Sequence, residues 1–458
     1  MARKCRLTLL FGVFLMAGIL VSSCTSQLSF RFIKEKALAQ RLAAYEPQYP
    51  AVKFMVLSDP HYYDPHLGIE GKAFAEYLDQ DRKLIALSRE ILEEALAMVL
   101  AEKPTFLIIP GDLTKDGEKH NHEALAHYLN KLRQAGIKIY VVPGNHDVKN
   151  GHSLRYEGDQ AYRIPNITAS DFALIYADYG YAEAIWRDSH SLSYVVEPVS
   201  GLWLVGLDAC LYQLNQEDQE PHTGGQFSQA TIDWLETVLE EAVAQKKAVI
   251  AFLHHGVVAH YKSQPNYFPD YLVKDWPQVA RLLASYKVRL AFSGHYHAQD
   301  ISLWRDQDIF LFDIETGSLV TYPCPLRIVT INSTNQCRLE TKLIETIPSL
   351  GKNFANYART FLAEGIEKIA QKTMKELGVP ESDFEILAPQ IAEAFLAHYM
   401  GDENLPPGKS PLKTTGLSFM GSLVVGNRRA LVEDLWQDLP PPDNNLLIEL
   451  NKGKWSEP

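Results

Sequence analysis

The chain has 458 residues and a formal net charge of −12 at pH 7, with 46% hydrophobic and 22% charged residues. This composition excludes a disordered or fibrous protein, and the length allows a large core and more than one domain. The acidic balance argues against a protein that grips long nucleic acids through a broad basic surface.

The N-terminus has the features of a secretory signal over residues 1–23. The basic start MARKCR precedes the apolar segment LTLLFGVFLMAGILV, which is shorter than the roughly 20 residues of a membrane span. It ends in VSSC, residues 21–24, which resembles a bacterial lipoprotein cleavage site and implies cleavage before Cys24 and lipidation of its thiol. We expect a mature protein anchored by lipid to the membrane of a bacterial cell envelope, facing outside the cytoplasm. The alternative is an uncleaved anchor with an incidental cysteine.

After a tether and short helix over residues 24–50, short apolar runs alternate with amphipathic segments. Helical periodicity covers residues 84–101 and 228–244. The apolar runs, which we expect to form strands, are KFMVLS (53–58), TFLIIP (105–110), IKIYVVP (137–143), LWLVGL (202–207), AVIAFL (248–253) and VRLAFS (288–293). Strands that alternate with helices predict an α/β core with both sheet faces covered. The runs at 308–316 and 326–331 lack long intervening helices and predict an added antiparallel part.

Residues 348–458 predict a small helical domain with a loop-rich end, following a catalytic domain over residues 51–347. One apolar helical stripe contains Phe354, Tyr357, Phe361, Ile366, Ile369 and Met374. Gly378 fits a helix C-cap, and Ser382 with Glu385 fits a capping box that opens the next helix. Because such a stripe must be covered, we expect this region to pack on the body near residues 256–276.

Asp, Asn or His residues follow five of the six predicted strands. The endings are Asp59-Pro60-His61, Gly111-Asp112, Gly144-Asn145-His146-Asp147, His254-His255-Gly256 and Gly294-His295-Tyr296-His297. Any one of them has an ordinary explanation as a turn, but five together indicate a shared site at the carboxyl ends of the strands. Carboxylate, imidazole and amide ligands without thiolate favour Mn²⁺, Fe or Zn²⁺ over Ca²⁺.

This ordered set, D-x-H, G-D, G-N-H-D, H and G-H-x-H, resembles the calcineurin-like metallophosphoesterases over about residues 51–335. The resemblance implies a two-sheet β-sandwich flanked by helices. It also implies that two metal ions are bound, the first by Asp59, His61 and His297, the second by Asn145, His254 and His295, with Asp112 between them. His254 competes with the adjacent His255 for its role. His146 corresponds to the catalytic histidine of the family.

The implied chemistry is hydrolysis by a metal-activated hydroxide. Two adjacent divalent ions lower the pKa of a bridging water from about 15.7 towards 7 and neutralise phosphoryl charge, so that no protein nucleophile is needed. His146 would protonate the leaving alkoxide. Asp116 and Asp147 are both candidates to orient its imidazole.

The substrate class rests on a narrower resemblance. LIIPGDLTKDGE (107–118) and DIETGSLVTYPCPLR (313–327), followed by a helical region, look most like bacterial class III cyclic-nucleotide phosphodiesterases and their surface-anchored relatives. This implies a phosphodiesterase for small phosphoesters. The alternatives are a broad phosphomonoesterase or nucleotidase and, in another class, an inactive surface-binding lipoprotein. The aromatic residues of 256–276 either stack on a nucleobase or hold the segment in place, and we favour the second interpretation.

Overall fold

The computed structural model describes residues 28–34, 36–79 and 81–458, so the predicted signal at 1–23 and the predicted lipidation site Cys24 lie outside the described residues. The strands are β1 Val52–Val56, β2 Phe106–Ile109, β3 Lys138–Val141, β4 Leu154–Glu157, β5 Gln160–Arg163, β6 Trp186–Arg187, β7 Tyr194–Val199, β8 Leu202–Leu207, β9 Ala248–Leu253, β10 Leu290–Ser293, β11 Asp300–Asp306, β12 Ile309–Glu315, β13 Pro325–Ile331, β14 Gln336–Leu343, β15 Asn445–Glu449 and β16 Lys454–Ser456. All six apolar runs predicted as strands form strands.

Helices cover the outer faces of the sheets and form the C-terminal region. They are α1 Arg31–Lys34, α2 Lys36–Ala44, α3 Lys72–Leu78, α4 Ser88–Glu102, α5 Lys119–Gln134, α6 Ala169–Ile175, α7 Gln229–Ala244, α8 Gln264–Tyr267, α9 Trp276–Ser285, α10 Phe354–Glu376, α11 Phe384–Met400 and α12 Phe419–Asp434. None of these helices, in the described part of the chain, is long and apolar enough to span a membrane.

The strands form two seven-stranded sheets and one small hairpin. The first sheet has the order β16-β15-β14-β13-β1-β2-β3, the second has the order β11-β12-β10-β9-β8-β7-β6, and β4 pairs with β5. Strands β1, β2 and β3 run parallel, as do β8, β9, β10 and β12. The fold is therefore the predicted α/β two-sheet sandwich with flanking helices and additional C-terminal helices.

Side chains of the central strands alternate between two hydrophobic clusters. Leu204 and Ile250 belong to the cluster between the sheets, whereas their neighbours Trp203 and Val249 pack outward with helices α7 and α9. Successive side chains of a strand point to opposite faces, so a strand covered on both faces is apolar throughout. This explains why the runs at 202–207 and 248–253 contain no polar side chain.

The segment before β1 packs on the second sheet. Phe30, Phe32, Leu38 and Leu42 are buried in the outer cluster with α7 and α9. The backbone N–H of Arg31 donates to the Glu236 carboxylate of α7 at 2.9 Å. The described part of the predicted tether is thus docked on the body.

The C-terminal region contains helices α10 to α12 and, in addition, the last two strands of the first sheet. Strand β15 pairs antiparallel with β14, and β16 pairs with β15. The sequence pattern predicts only a loop-rich end here. The alternation of buried and partly exposed residues in NLLIE, with Leu446 and Ile448 fully buried, is the strand pattern that this prediction missed.

The helix ends agree with the sequence at one position and differ at another. Gly378 follows α10 with φ of +75°, as expected for a residue after a helix C-terminus. The capping box predicted for Ser382 and Glu385 is wrong, because α11 begins after Asp383 without a side-chain cap. The Asp383 carboxylate instead accepts the backbone N–H of Ser418, which opens α12.

Candidate metal centre

The five polar strand endings meet at one place between the two sheets. Strands β1, β2 and β3 supply residues from the first sheet, and β9 and β10 supply residues from the second. Two groups of side chains each place their ligand atoms within 4.8 Å of one another. The groups are Asp59, His61, Asp112 and His297, and Asp112, His254 and His295. Asp112 is common to both groups, as the sequence analysis expected.

The first group brings two imidazole rings and two carboxylates together. His61 Nε2 lies 3.3 Å from His297 Nε2 and 3.5 Å from Asp112 Oδ2. His297 Nε2 lies 3.5 Å from Asp59 Oδ1, while its Nδ1 is 3.3 Å from the Thr321 hydroxyl. The atoms that meet here are lone-pair donors, which is the arrangement of ligands around a cation.

The second group contains His254 rather than His255. His254 Nδ1 donates to the Pro110 carbonyl at 2.9 Å, which leaves Nε2 as the lone-pair atom, 3.3 Å from Asp112 Oδ2 and 3.0 Å from Asn145 Oδ1. His255 Nε2 donates to the Thr223 carbonyl at 2.9 Å. Hydrogen bonds from the second nitrogen fix imidazole tautomers in metal sites. The geometry therefore favours His254 over its neighbour.

His295 makes a hydrogen bond to the long segment that follows β9. Its Nε2 donates to the Asp270 carbonyl at 3.2 Å, and its ring lies 4.5 Å from the His254 ring, measured between centroids. The remaining Nδ1 is left with its lone pair free for an ion. His295 and His297, two residues apart, therefore face different groups.

Five of the seven predicted ligands adopt backbone conformations that L-residues rarely use. Their φ angles are +49° at Asp59, +37° at His61, +47° at Asp112, +77° at His295 and +71° at His297. Each such residue costs on the order of 1–3 kcal/mol and persists only where the surrounding structure enforces it. Backbone strain is thus concentrated at this centre.

Glycine is required where two of these endings approach other chain segments. A Cβ atom at Gly294 would lie 2.1 Å from Ser58 Oγ and 2.3 Å from Asp59 Oδ2. A Cβ atom at Gly144 would lie 2.1 Å from Asp112 Oδ1. Glycines therefore stand at these strand ends because the backbone packs closely against the carboxylates.

The protonation states suit a pair of divalent cations. Burial lowers the pKa of His61, His295 and His297, so these imidazoles stay neutral and keep their lone pairs. His61 Nδ1 is buried without a hydrogen-bond partner among the described residues. Burial would raise the pKa of Asp112, but the neighbouring imidazoles outweigh it and keep that pKa well below its usual value. Three neutral imidazoles beside an ionised Asp112 fit borderline divalent metals. The fourth imidazole differs, because burial is outweighed by Asp112 and Asp59, which raise the pKa of His254 to about 9, so His254 must release a proton when Nε2 binds an ion.

His146 lies beside the ligands, and Asp116 orients it. His146 Nδ1 donates to Asp116 Oδ1 at 2.8 Å, while Nε2 points toward the centre, 4.0 Å from Asp112 Oδ2. Burial would lower the pKa of His146, but Asp112 and Asp116 raise it above its usual value. Its side chain is 24% exposed, whereas that of His61 is fully buried. A substrate can therefore reach this imidazole.

Asp147, the other candidate to orient His146, binds backbone N–H groups instead. Its carboxylate accepts the N–H groups of Leu113 and Thr114 at 3.0 Å and of Gly144 at 2.8 Å. These bonds join the segment after β2 to the segment after β3. The structure thus separates two carboxylates that the sequence left as alternatives.

The aromatic residues of 256–276 hold the segment against the C-terminal helices. The Tyr271 ring lies 4.7 Å from the His295 ring and 4.9 Å from the Tyr296 ring. Phe268 contacts Phe395 of α11 at 6.1 Å between centroids. These contacts support the structural interpretation of the aromatic cluster over a nucleobase platform.

Two cationic residues near the centre were missed by the sequence analysis. Lys83 is 9% exposed, and its positive charge lowers the pKa of both His61 and His297 in addition to the effect of burial. Arg82 Nη1 donates to the Tyr399 hydroxyl at 3.1 Å. The segment is fixed by Leu84, whose N–H donates to the Val320 carbonyl at 2.7 Å. No motif marks these residues, because they come from a connection far from any strand end.

A third group of carboxylates lies away from this centre. Asp402, Asp438 and Asp443 also place oxygen atoms within 4.8 Å of one another. Asp443 Oδ2 accepts the backbone N–H of Asp402, and Asp402 Oδ1 accepts that of Asp443. Asp402 and Asp443 thereby fix the connection between α11 and α12 to the segment before β15.

The chain resembles solved structures distantly and matches one family model. The structure is similar to a dimetal phosphatase from Danio rerio at 17% sequence identity and a TM-score of 0.45, covering 64% of this chain and 97% of that one. It is similar to a purple acid phosphatase from yellow lupin seeds at 12% identity and a TM-score of 0.36, covering 65% and 53% of the two chains. A comparison with curated proteins finds no significant match.

The family model described as calcineurin-like phosphoesterase matches residues 52–299, which is more than half of the chain. The chain therefore belongs to the calcineurin-like phosphoesterase family of metal-dependent phosphoester hydrolases.

Proposed function

We propose that the protein is a phosphodiesterase that hydrolyses cyclic nucleotides or similar small phosphodiesters. The observation that carries the proposal is the pair of ligand groups that share Asp112, with His146 beside them. The narrower resemblance of the GDLTKDGE and GSLVTYPCP segments to cyclic-nucleotide phosphodiesterases supports the substrate class. The acidic chain supports a small substrate over a long polyanion.

The two groups would hold two divalent metal ions of the Mn, Fe or Zn type. Asp59, His61 and His297 would bind one ion, with the oxygen atoms of Asp112 shared between the two sites. Asn145, His254 and His295 would bind the other. Such a pair supplies a hydroxide nucleophile at neutral pH and neutralises charge on the phosphoryl group.

His146 would act as the proton donor to the leaving group. The bond from Nδ1 to Asp116 leaves Nε2 as the atom that faces the centre. The hydrogen bond to Asp116 favours the protonated ring, which is the state that a general acid requires. A proton delivered by Nε2 to the ester oxygen lets an alkoxide leave as an alcohol.

Residues of the C-terminal region come close to the centre. Tyr271 and the Asp270 carbonyl contact His295, and Arg82 donates to the Tyr399 hydroxyl of α11. A substrate bound at the centre would therefore lie near the C-terminal helices.

A phosphomonoesterase is the second candidate, and Lys83 is the observation that favours it. Two metal ions can each contact one of the two non-bridging oxygens of a diester, whereas a monoester dianion has a third. Lys83 is nearly buried and close enough to affect His61 and His297 electrostatically, and its Nζ lies 3.4 Å from Asp81 Oδ2. A third phosphoryl oxygen would share this ammonium group with Asp81.

The test is metal content combined with turnover of two artificial esters by the purified mature protein. We expect close to two transition-metal ions per chain and faster hydrolysis of bis-(p-nitrophenyl) phosphate than of p-nitrophenyl phosphate. Faster turnover of the monoester would favour the second candidate. Bound metal without hydrolysis of either ester would indicate a binding protein of the surface-lipoprotein type.

We also propose that Cys24 carries a lipid that attaches the enzyme to the membrane outside the cytoplasm. The basic n-region, the short apolar segment and the VSSC sequence support this proposal. The Cys24→Ser variant should lose incorporation of labelled fatty acid and remain an uncleaved precursor. Unchanged labelling of that variant would contradict the assignment.

A further inference from the structure

Lys115 is a fully buried lysine in the connection that follows β2, and it has no role in the function proposed above. Its Nζ lies 5.5 Å from the ring centroid of Tyr63, 4.4 Å from that of Tyr77 and 5.7 Å from that of Tyr156. Aromatic rings attract a cation through their faces. The three tyrosines therefore form a cage that accommodates a charged ammonium group without water.

The ammonium group makes ion pairs with two buried carboxylates. Lys115 Nζ bonds to Asp116 Oδ2 and lies 3.3 Å from Glu118 Oε1. Burial alone would lower the pKa of Lys115, but the two carboxylates outweigh it and keep that pKa well above its usual value. Lys115 therefore carries its charge next to Asp116.

Both oxygen atoms of Asp116 are occupied in this arrangement. Lys115 takes Oδ2, while Oδ1 accepts the Nδ1–H of His146 at 2.8 Å and lies 3.4 Å from Asn150 Nδ2. The backbone of the segment is fixed as well, because the Ser153 hydroxyl donates to the Asp116 carbonyl at 2.6 Å. The carboxylate plane thus has one orientation.

We propose that Lys115 is a positioning residue for His146, acting through Asp116. By holding Oδ2, it keeps Oδ1 in place as the acceptor of Nδ1–H, which fixes the tautomer and directs Nε2 toward the metal centre. This inference rests on the proposed role of His146 as proton donor. Without the ammonium group the carboxylate turns, and the imidazole loses its fixed acceptor.

The competing explanation is that Lys115 only compensates the charge of Glu118. Glu118 is fully buried, and removal of its cation would leave an uncompensated carboxylate that destabilises the fold. The two explanations differ in one respect. If Lys115 only compensates charge, its removal lowers the fraction of folded protein. If it positions His146, its removal slows proton transfer in the molecules that remain folded.

The test compares Lys115→Met with a poor and a good leaving group in the metal-loaded protein. We expect kcat for diphenyl phosphate to fall about 10-fold, part of the roughly 10²–10⁴-fold that a general acid contributes. The kcat for bis-(p-nitrophenyl) phosphate should fall much less, because nitrophenolate leaves without a proton, and KM and metal content should stay unchanged. Lys119→Met removes an exposed lysine four residues away and serves as the matched control.

A double variant separates positioning from charge compensation. Lys115→Met with Glu118→Gln removes one charge of each sign and avoids an orphaned buried carboxylate. Persistence of the selective loss supports the proposal, whereas recovery to the wild-type ratio of the two esters overturns it. If the single variant fails to fold, the ratio of kcat for the two esters is measured in the double variant alone. If neither variant folds, the proposal is overturned, and Lys115 has a structural role only.

A spectroscopic measurement does not depend on activity. In metal-free protein with ¹⁵N-labelled histidine, at a pH high enough to make the His146 ring neutral, His146 should show the Nδ1–H tautomer in the wild type and a mixture of tautomers in the double variant. An unchanged tautomer overturns the proposal. Hydrolysis of neither ester by the wild type would instead refute the proposed function, so the two failures are distinguishable.

Discussion

The turn at residues 294–298 has two sides with opposite chemistry. His295 and His297 point to the two ligand groups of the metal centre. Tyr296 and Ala298, which alternate with them, are buried in the hydrophobic cluster of the C-terminal helices. Tyr296 contacts Tyr271, His398 and other rings of that cluster. One short segment therefore joins the candidate metal site to the region that covers it.

The two sides differ in how they affect stability. The ligand side gathers buried polar groups at left-handed backbone positions, which is unfavourable until a cation binds. The helical side buries apolar surface, which stabilises the fold at roughly 25 cal/mol per Å². Along residues 295–298, proposed metal ligands thus alternate with residues that stabilise the fold by burial. Substitutions on the first side should change chemistry, and those on the second should change folding.

The largest effect is expected for Asp112→Asn on the ligand side. Asp112 belongs to both ligand groups, so loss of its charge weakens both metal sites. We expect metal content to fall at both sites and turnover to fall by more than the roughly 10²–10⁴-fold attributed to a general acid. Elemental analysis with steady-state kinetics checks this. A variant that keeps two ions and wild-type turnover would contradict the shared role of Asp112.

His146→Ala should change proton transfer and leave the ligands in place. We expect turnover of diphenyl phosphate to fall about 10²–10⁴-fold at unchanged metal content, with a smaller loss for bis-(p-nitrophenyl) phosphate. The difference arises because the nitrophenolate group hardly needs a proton. Equal losses on both esters would remove His146 from the role of acid.

On the helical side, Leu362→Ala should act on stability. Leu362 is fully buried in the C-terminal cluster. Its truncation should lower the free energy of unfolding by about 2–5 kcal/mol and leave kcat per folded molecule unchanged. Tyr357→Ala, on the same helix and 43% exposed, is the control. Denaturant unfolding with activity assays checks both. A loss of kcat in folded Leu362→Ala would show that the two sides are coupled.

The smallest effect concerns pH and the carboxylates at the end of the helical region. Burial, followed by the charges of Glu403, Asp402 and Asp300, raises the pKa of Asp438 to about 7. Because its unfolded pKa is about 3.9, the folded state holds an extra proton between these values, and stability falls as the pH rises through this window.

Asp438→Asn should therefore raise the melting temperature more at pH 8 than at pH 5. Thermal unfolding at the two pH values checks this. The exposed Asp308→Asn, which also removes one negative charge, should show no such dependence. An equal change for Asp438→Asn at both pH values would contradict the assigned shift.

Tertiary structure decided the partners of residues that the sequence left open. Asp116 and Asp147 are chemically alike, and Asp147 directly follows His146 whereas Asp116 lies 30 residues before it. Only the distant Asp116 contacts the imidazole, while Asp147 binds backbone N–H groups. The choice depends on how the segments after β2 and β3 interlock. Lys83 comes to the centre through a backbone bond between Leu84 and Val320, 236 residues apart, and no local pattern encodes such a contact.

The sequence by itself determined the α/β class and the set of candidate ligands, and the two-sheet sandwich was implied by the family resemblance. Apolar runs report strands buried on both faces, and parallel strands bring their carboxyl ends to one edge, so residues after each run were predictable as neighbours. The final strands at 445–456 were not, because β15 and β16 take their place only by pairing with β14 at the edge of an existing sheet. Local periodicity reports which face of a segment is buried. The packing of the whole chain then decides which distant segment covers that face. It also decides which polar groups become hydrogen-bond partners.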